Sequence, residues 1–173
     1  ISLKLYSQKG FGDAAASENL FLGLYYGLMG IMMIYHLILF LSSRMSGYFL
    51  YACYVGGWTL AIMALNGTFY QYFLPNEPLL MARVMPVVLS LAIVFTFVFI
   101  RGFLELSELM PSGDRLLRVV TYCALIIAIL GAFIPYKYAI GFVTLLGLGA
   151  PLMALSVGIY AFRRGFGPAK YFV

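Results

Sequence analysis

Residues 84–100 read VMPVVLSLAIVFTFVFI, a run of 17 positions without a charge. Apart from one proline, one serine and one threonine, all of its side chains are apolar. As a helix rising about 1.5 Å per residue, the run crosses most of a hydrocarbon core about 30 Å thick. Arg83 and Arg101 bound it, where long cationic side chains can reach the lipid head groups. The run therefore predicts a transmembrane helix at about residues 79–104.

The composition of the whole chain agrees with that prediction. Of 173 residues, 64% are hydrophobic and only 10% are charged, and the mean hydropathy is +0.98. A soluble domain carries about 25% charged residues, so this chain lacks the charge that a water-facing surface needs. No basic face with interleaved aromatic residues is present, and a nucleic-acid partner is therefore not expected. The chain is predicted to be an all-α membrane protein, a polytopic transmembrane helix bundle whose first partner is the lipid bilayer.

Long apolar runs alternate with short polar hinges along the rest of the chain. They predict further helices at about residues 20–41, 48–65, 116–134 and 138–162, with the start of a sixth at 168.

The first residues have a different pattern. Residues 1–6 alternate apolar and polar side chains, which predicts a short β-strand. A lone strand is not stable, so we attribute it to the end of a preceding extracytoplasmic domain. Residues 10–18 are predicted to be a polar link. The chain is thus divided into the end of that domain at 1–18 and a transmembrane domain at 19–173, and is expected to be part of a longer protein.

Basic residues indicate the orientation. Five spans place the two ends of the chain on opposite sides of the membrane, and basic residues concentrate in cytoplasmic hinges. With the N-terminus outside, seven basic residues are cytoplasmic and four are external. The seven are Arg44, Arg101, Arg115, Arg118, Arg163, Arg164 and Lys170, and the four are Lys4, Lys9, Arg83 and Lys137. The sequence therefore predicts a multi-pass protein with its N-terminus outside.

His36 is the only histidine and lies about two-thirds along the first predicted helix. An ionisable side chain inside a membrane is a candidate for ligand recognition or signal relay. The alternative is a neutral imidazole that is hydrogen-bonded to a neighbouring helix. A metal site needs further ligands, and no carboxylate or thiolate lies at helical spacing from His36. Neither a metal nor another cofactor is expected.

Arg83, near the outer end of the third predicted helix, also has two interpretations. Its side chain either reaches the head groups, towards Glu77, or lines an outward pocket for an anionic ligand. Elsewhere no Cys/His pair and no Ser/His/Asp set is present, so no catalytic residue is assigned.

Five stretches, in order along the chain, carry a family resemblance. They are ENLFLGLYYG at 18–27, FLSSR at 40–44 with YFLY at 48–51, LNG at 65–67 with QY at 71–72, RGFLEL at 101–106 with DRLLR at 114–118, and RRG at 163–165 with PAKYF at 168–172. With these motifs the chain resembles the membrane domain of bacterial seven-transmembrane receptors with diverse intracellular signalling modules. His36 stands where the resemblance implies an asparagine.

The resemblance implies a sensory β-domain on the outer side, whose last strand would be residues 3–6, and seven spans, of which this chain covers about five. It also implies a cytoplasmic output domain such as a diguanylate cyclase, histidine kinase or phosphatase. Because the family's chemistry lies in that output domain, this chain is not expected to be an enzyme. The bacterial inner membrane is the expected location, and homodimerisation is expected by analogy with other receptors.

The sequence thus predicts a transmembrane sensor that passes an extracytoplasmic ligand signal to a cytoplasmic domain. The ligand is a small molecule of unknown identity, bound by the outer domain. The alternative is a secondary transporter or channel component, a class that uses intramembrane charge pairs or broken helices near the midplane. The predicted spans contain Pro86 and Pro151 but no acidic residue near the midplane, which favours the sensor.

Overall fold

The computed structural model describes residues 8–75 and 77–163. Within these ranges the chain forms seven helices and no strand. They are α1 (Gln8–Ser43), α2 (Ser46–Leu65), α3 (Thr68–Phe73), α4 (Pro78–Phe103), α5 (Leu106–Leu109), α6 (Pro111–Gly131) and α7 (Tyr136–Arg163). The predicted all-α helix bundle is confirmed. The predicted strand at 1–6 and the start of a further helix at 168 lie outside the described residues.

Helix α1 begins at Gln8, well before the predicted start near Leu20. The stretch 10–18 was predicted to be a link because it lacks the hydropathy of a membrane span. Helix formation does not require that hydropathy, and three consecutive alanines at 14–16 have the highest helix propensity of any residue type. The part of α1 that is apolar enough to cross a membrane is Asn19–Ser43, which agrees with the prediction.

Four helices in the described ranges are long and apolar enough to cross a membrane. They are Asn19–Ser43 of α1, Ser46–Leu65, Pro78–Phe103 and Tyr136–Tyr160 of α7. Helix α6 corresponds to the remaining predicted span, and three charged residues in its first two turns lower its hydropathy. They are Asp114, Arg115 and Arg118.

Helix α6 nevertheless runs beside α4 over most of the length of α4. At one end Arg101 of α4 meets Asp114 of α6. At the other end a side chain added at Gly131 of α6 would lie 3.5 Å from Pro86 of α4. These two α4 residues are 15 positions apart in the sequence, or about 22 Å along a helix. The two helices are therefore antiparallel neighbours.

Helix α4 is the centre of the bundle, with α2 on one side and α6 and α7 on the other. Small residues bring α2 close to it. A Cβ atom at Gly57 of α2 would lie 2.8 Å from the Phe95 ring and 3.4 Å from the Cα of Ala92. Glycine at this position thus permits the close approach of backbones that is typical of membrane helices.

The face of α6 that meets α4 also follows from its sequence. Its buried positions recur every three or four residues and are mostly small, which gives one packed stripe. They include Leu117, Thr121, Ala124, Ala128 and Gly131. In contrast, no residue in the spanning part of α1 is buried, and α1 packs against α2 at the edge of the bundle.

The two ends of the bundle differ in how tightly they are packed. We call one end of the bundle the Arg101 end; there α1 and α4 finish, and α2 and α6 begin. The opposite end of the bundle, where Arg83 lies, is called the Arg83 end. The largest fully buried aliphatic side chains, Ile100, Leu104, Leu106 and Leu117, gather at the Arg101 end. This end therefore provides a rigid frame for the side chains described next.

Candidate functional site

A groove opens at the Arg101 end between α1, α2 and α4, with a volume of about 560 Å³. We call it the His36 groove. It is lined by Met32, His36, Met45, Gly47, Tyr48, Tyr51, Phe99 and Phe103. Four of these side chains are aromatic, and His36 brings a ring nitrogen to an otherwise largely apolar lining.

His36 is held by its own helix and by the rings of α2. Its Nδ1 atom donates a hydrogen bond to the backbone oxygen of Met32, 2.8 Å away. The centroid of its ring lies 4.1 Å from that of Tyr51 and 6.3 Å from that of Tyr48. The hydrogen bond is thus made within α1, whereas the contact with the neighbouring helix is between rings.

The aromatic contacts continue from His36 into α4. Tyr51 meets Phe99 edge to face, with 5.5 Å between centroids. Phe99 also stacks on Tyr54 at 5.3 Å and on Phe103 at 5.5 Å. Such ring pairs each add about 0.5–1.5 kcal/mol beyond the area that they bury. A ligand or mutation that moves Tyr51 therefore acts directly on the end of α4.

A second cluster, which we call the Asp114 cluster, lies on the α6 side of the same turn of α4. The Nε atom of Arg101 donates to Oδ1 of Asp114 at 2.6 Å, and the Nη2 atom of Arg118 donates to Oδ2. The Asp114 side chain is 5% exposed and that of Arg101 is 25% exposed. The Arg101 contact thus joins α4 to α6, whereas the Arg118 contact lies within α6, and the cluster carries a net positive charge.

Asp114 lies just before the predicted span at 116–134, and both of its partners favour its charged form. The hydrogen bond from Arg101 is the larger effect and holds the pKa of the Asp114 carboxyl below its usual value; Arg118 acts in the same direction. Burial of the Asp114 carboxyl raises its pKa, but the two arginines together lower it by more. The carboxylate therefore remains ionised, which an interhelical ion pair requires.

The hinge between α4 and α6 is tightly constrained. Leu104 and Leu106 are fully buried, while Glu105 between them has φ 46° and ψ 44°, in the left-handed region. A residue other than glycine is rarely found there, at a cost of about 1–2 kcal/mol. The buried leucines fix the register of the hinge, and Glu105 takes up the strained conformation.

Arg83 is far from His36. It is exposed on the second turn of α4, at the other end of the bundle, and within the described ranges no ion pair joins it to Glu77. Arg83 and Phe99 of the groove are 16 positions apart, or about 24 Å along α4. The structure therefore does not bring the two candidate residues into one site.

Sequence reasoning placed Asp114 in a polar hinge and missed its role. The signal was present, since Asp114 and Arg118 have the i, i+4 spacing of a helical ion pair. The contact with Arg101 could be found only once α4 and α6 were known to be antiparallel neighbours.

Comparison with known proteins identifies the family. Searches of curated proteins and of solved structures gave no match. A family model described as "7TM diverse intracellular signalling" matches residues 18–173, which is most of the chain and includes α1 from Glu18 onward and all of the later helices described above. The resemblance noted in the sequence is thereby confirmed, and the chain belongs to the 7TM diverse intracellular signalling family.

Proposed function

We propose that this domain is a transmembrane sensor module that relays an extracytoplasmic ligand signal to a cytoplasmic output domain. The observation that carries the proposal is the family match over residues 18–173, since the family is one of intracellular signalling. In this proposal the domain has no catalytic role of its own. A small ligand binds to a preceding outer domain, and an attached domain such as a cyclase or kinase provides the output.

The packing of α4 suggests how such a signal travels. Since α4 contacts α2, α6 and α7, a change in the position of α4 alters several interfaces at once. A ligand that favours one packing arrangement shifts the equilibrium towards it. The Asp114 cluster joins α4 to α6 immediately before and after their hinge. We infer that this ion pair and the hinge are the two-state element of the relay.

We further propose that the N-terminus lies outside the inner membrane of a bacterium, so that the Arg101 end is cytoplasmic. The distribution of basic residues supports this orientation. Alkaline phosphatase fused after Glu77 is then expected to be active, and a fusion after Ser107 inactive, at equal expression. The opposite pattern would reverse the proposed direction of signalling.

A homodimer formed through α1 is also proposed. Gly23 and Gly27 have the spacing that lets membrane helices approach closely. A Cβ atom at either position would meet no atom within 4 Å, and the span of α1 has no buried residue. Disulfide cross-linking of a Gly27→Cys variant in membranes is expected to give a dimer, unlike Gly141→Cys on α7. Equal cross-linking of the two variants would exclude this interface.

The direct test of the sensor function is to sequence the gene on both sides of the present chain. Two further apolar spans followed by a signalling domain, with a β-rich domain upstream, are the expected result. If they are found, Asp114→Asn in the full protein should change the basal output, whereas Arg83→Gln should leave it unchanged. Further spans without any soluble domain would contradict the proposal.

A secondary transporter or channel component is the competing function. The four spans named above contain no acidic residue, and charged groups inside the membrane are typical of ion-coupled transporters. The protein reconstituted in vesicles is therefore expected to show no flux of Na⁺, K⁺ or amino acids above that of empty vesicles. Flux that depends on this protein would favour the transporter.

A further inference from the structure

We propose that the His36 groove binds a membrane-soluble aromatic alcohol, that is, a flat ring carrying a hydroxyl donor. Such a site is distinct from the outer ligand site of the proposed sensor and adds a second input from within the bilayer. The proposal rests on the free acceptor in the groove, on the shape and chemistry of its walls, and on its depth in the membrane.

The acceptor follows from the hydrogen bond of His36. The backbone oxygen of Met32 can only accept, so the hydrogen bond to it requires the proton on Nδ1. In a neutral imidazole the other nitrogen, Nε2, then has a free lone pair. No described residue donates a hydrogen bond to it. A ligand that satisfies this nitrogen must therefore carry a donor such as a hydroxyl group.

The walls favour an aromatic ligand. Tyr48 and Tyr51 line the groove from α2, and Phe99 and Phe103 line it from α4. Tyr51 and Phe99 meet at an interplanar angle of 69°, so their rings offer the groove differently oriented surfaces. A flat ring can make offset-stacked and edge-to-face contacts with such walls. An acyl chain would fill the space but would leave Nε2 without a donor.

The position of the groove indicates that the ligand comes from the bilayer. His36 is seven residues before Ser43, the last residue of its span, and so lies about 10 Å inside that end. Gly47 and Tyr48 lie at the start of α2, near the membrane boundary. The volume of about 560 Å³ lies within the range of small-molecule sites, about 300–1,000 Å³. A ligand with an apolar body and one polar group fits this depth.

A metal ion is a weaker candidate for the same nitrogen. In the described part of the chain no group of three His, Cys, Asp or Glu side chains could hold one. A single imidazole among aromatic rings and thioethers favours a hydrogen-bonded organic ligand.

The test compares 2-naphthol with 2-methoxynaphthalene, which has the same rings but no donor. Binding to the purified protein in phosphatidylcholine nanodiscs is measured by equilibrium dialysis and corrected with empty nanodiscs. One hydrogen bond gives a preference for 2-naphthol of about fivefold to tenfold. His36→Phe keeps a ring of similar size but removes the acceptor, so it should abolish the preference while 2-methoxynaphthalene binds as before.

Two glycine variants provide a second, independent comparison. A Cβ atom at Gly47 in the groove, or at Gly141 on α7 outside it, would meet nothing within 4 Å, so a side chain can be attached at either position without a clash at its Cβ. Gly47→Leu should weaken the binding of both probes at least tenfold, and Gly141→Leu should change neither.

Three results would overturn the proposal: equal binding of the two probes to the unmodified protein, no binding above empty nanodiscs, or unchanged binding in Gly47→Leu. If His36→Phe does not fold, the comparison of the two probes on the unmodified protein and the two glycine variants still test the proposal. All of these experiments measure probe binding rather than signalling output, so they do not depend on the proposed sensor function.

Discussion

The two ends of α4 carry the same residue type in different surroundings. Arg83 is exposed near the beginning of the helix, where it has no ion pair with the nearby Glu77. Arg101 lies near the end, is 25% exposed and binds a carboxylate that is almost fully buried. An arginine at a membrane boundary can thus either reach the head groups or fix one helix against another. A charge pattern along one helix does not distinguish these roles.

The same contrast extends to the neighbouring residues. At the Arg101 end, Leu104 and Leu106 are fully buried and the chain passes into α6 after a single short helix. At the Arg83 end, Leu79 is 81% exposed and Tyr72 is 72% exposed. The more tightly packed of the two ends is therefore the Arg101 end, where α4 and α6 are joined by an ion pair.

The largest effect is expected when Arg101 is replaced by glutamine, with the same replacement at Arg83 as the control. Arg101→Gln should lower the free energy of unfolding by about 2–3 kcal/mol, because the buried Asp114 carboxylate loses its main partner and keeps only Arg118. Arg83→Gln should change it by less than about 0.5 kcal/mol. SDS titration in mixed micelles, followed by the fluorescence of Trp58, measures both values. Equal effects would remove the distinction between the two ends.

A smaller effect is expected on acidification. Hydrogen bonds from Arg101 and Arg118 hold the pKa of the Asp114 carboxyl below its value in the unfolded chain, which is about 3.9. The resulting stabilisation is fully present above the unfolded pKa and is lost as the pH falls through the folded pKa. Between about pH 5 and pH 3 the unmodified protein should therefore lose more stability than Asp114→Asn. Parallel pH profiles would mean that the ion pair contributes nothing.

The hinge gives a prediction of opposite sign. Glu105 has φ 46°, so Glu105→Gly removes steric strain and should raise the unfolding free energy by about 0.5–1 kcal/mol, even after the entropy cost of glycine. Glu105→Val should lower it. The matched control is Glu77→Gly before α4, where φ is −124° and no gain is expected. A gain at both positions would show that the effect does not come from strain at the hinge.

The helices were predictable because transfer into lipid depends on local composition. The long runs near α2, α4 and α7 matched the structure closely, and the span of α1 matched as well. The start of α1 was not predictable in this way, because its first residues form a helix without being apolar enough to span. Hydropathy determines where a chain crosses the membrane and does not determine where a helix begins.

The candidate sites were less accessible to sequence reasoning, because each is built from several helices. His36 was selected for its chemistry, but its contact with Tyr51 and the nearby Phe99 depend on how α1, α2 and α4 pack. Asp114 has its main partner 13 residues away across a hinge. Both sites could be found only from the knowledge of which helix faces contact each other. The sequence pattern of a single helix does not give that information.

The middle of α4 provides the finest comparison, between two hydroxyl groups. The Thr96 hydroxyl accepts from Nε1 of Trp58 and donates to the backbone oxygen of Ala92, both at 2.8 Å. The Ser90 hydroxyl is fully buried and has no partner among the described residues. Thr96→Val should therefore cost about 0.6 kcal/mol, the usual value of a side-chain hydrogen bond between membrane helices.

Ser90→Ala should instead stabilise the protein by about 0.5–1 kcal/mol, because a buried hydroxyl without a partner is removed. The same SDS titration measures both variants, and the emission maximum of Trp58 should shift only in Thr96→Val, since its indole loses an acceptor. A loss of stability in Ser90→Ala would mean that this hydroxyl is satisfied after all, by water or by a residue outside the described ranges. The sign of the change at Ser90 thus tests whether α4 is held by packing at this position, while Arg101 holds its end by charge.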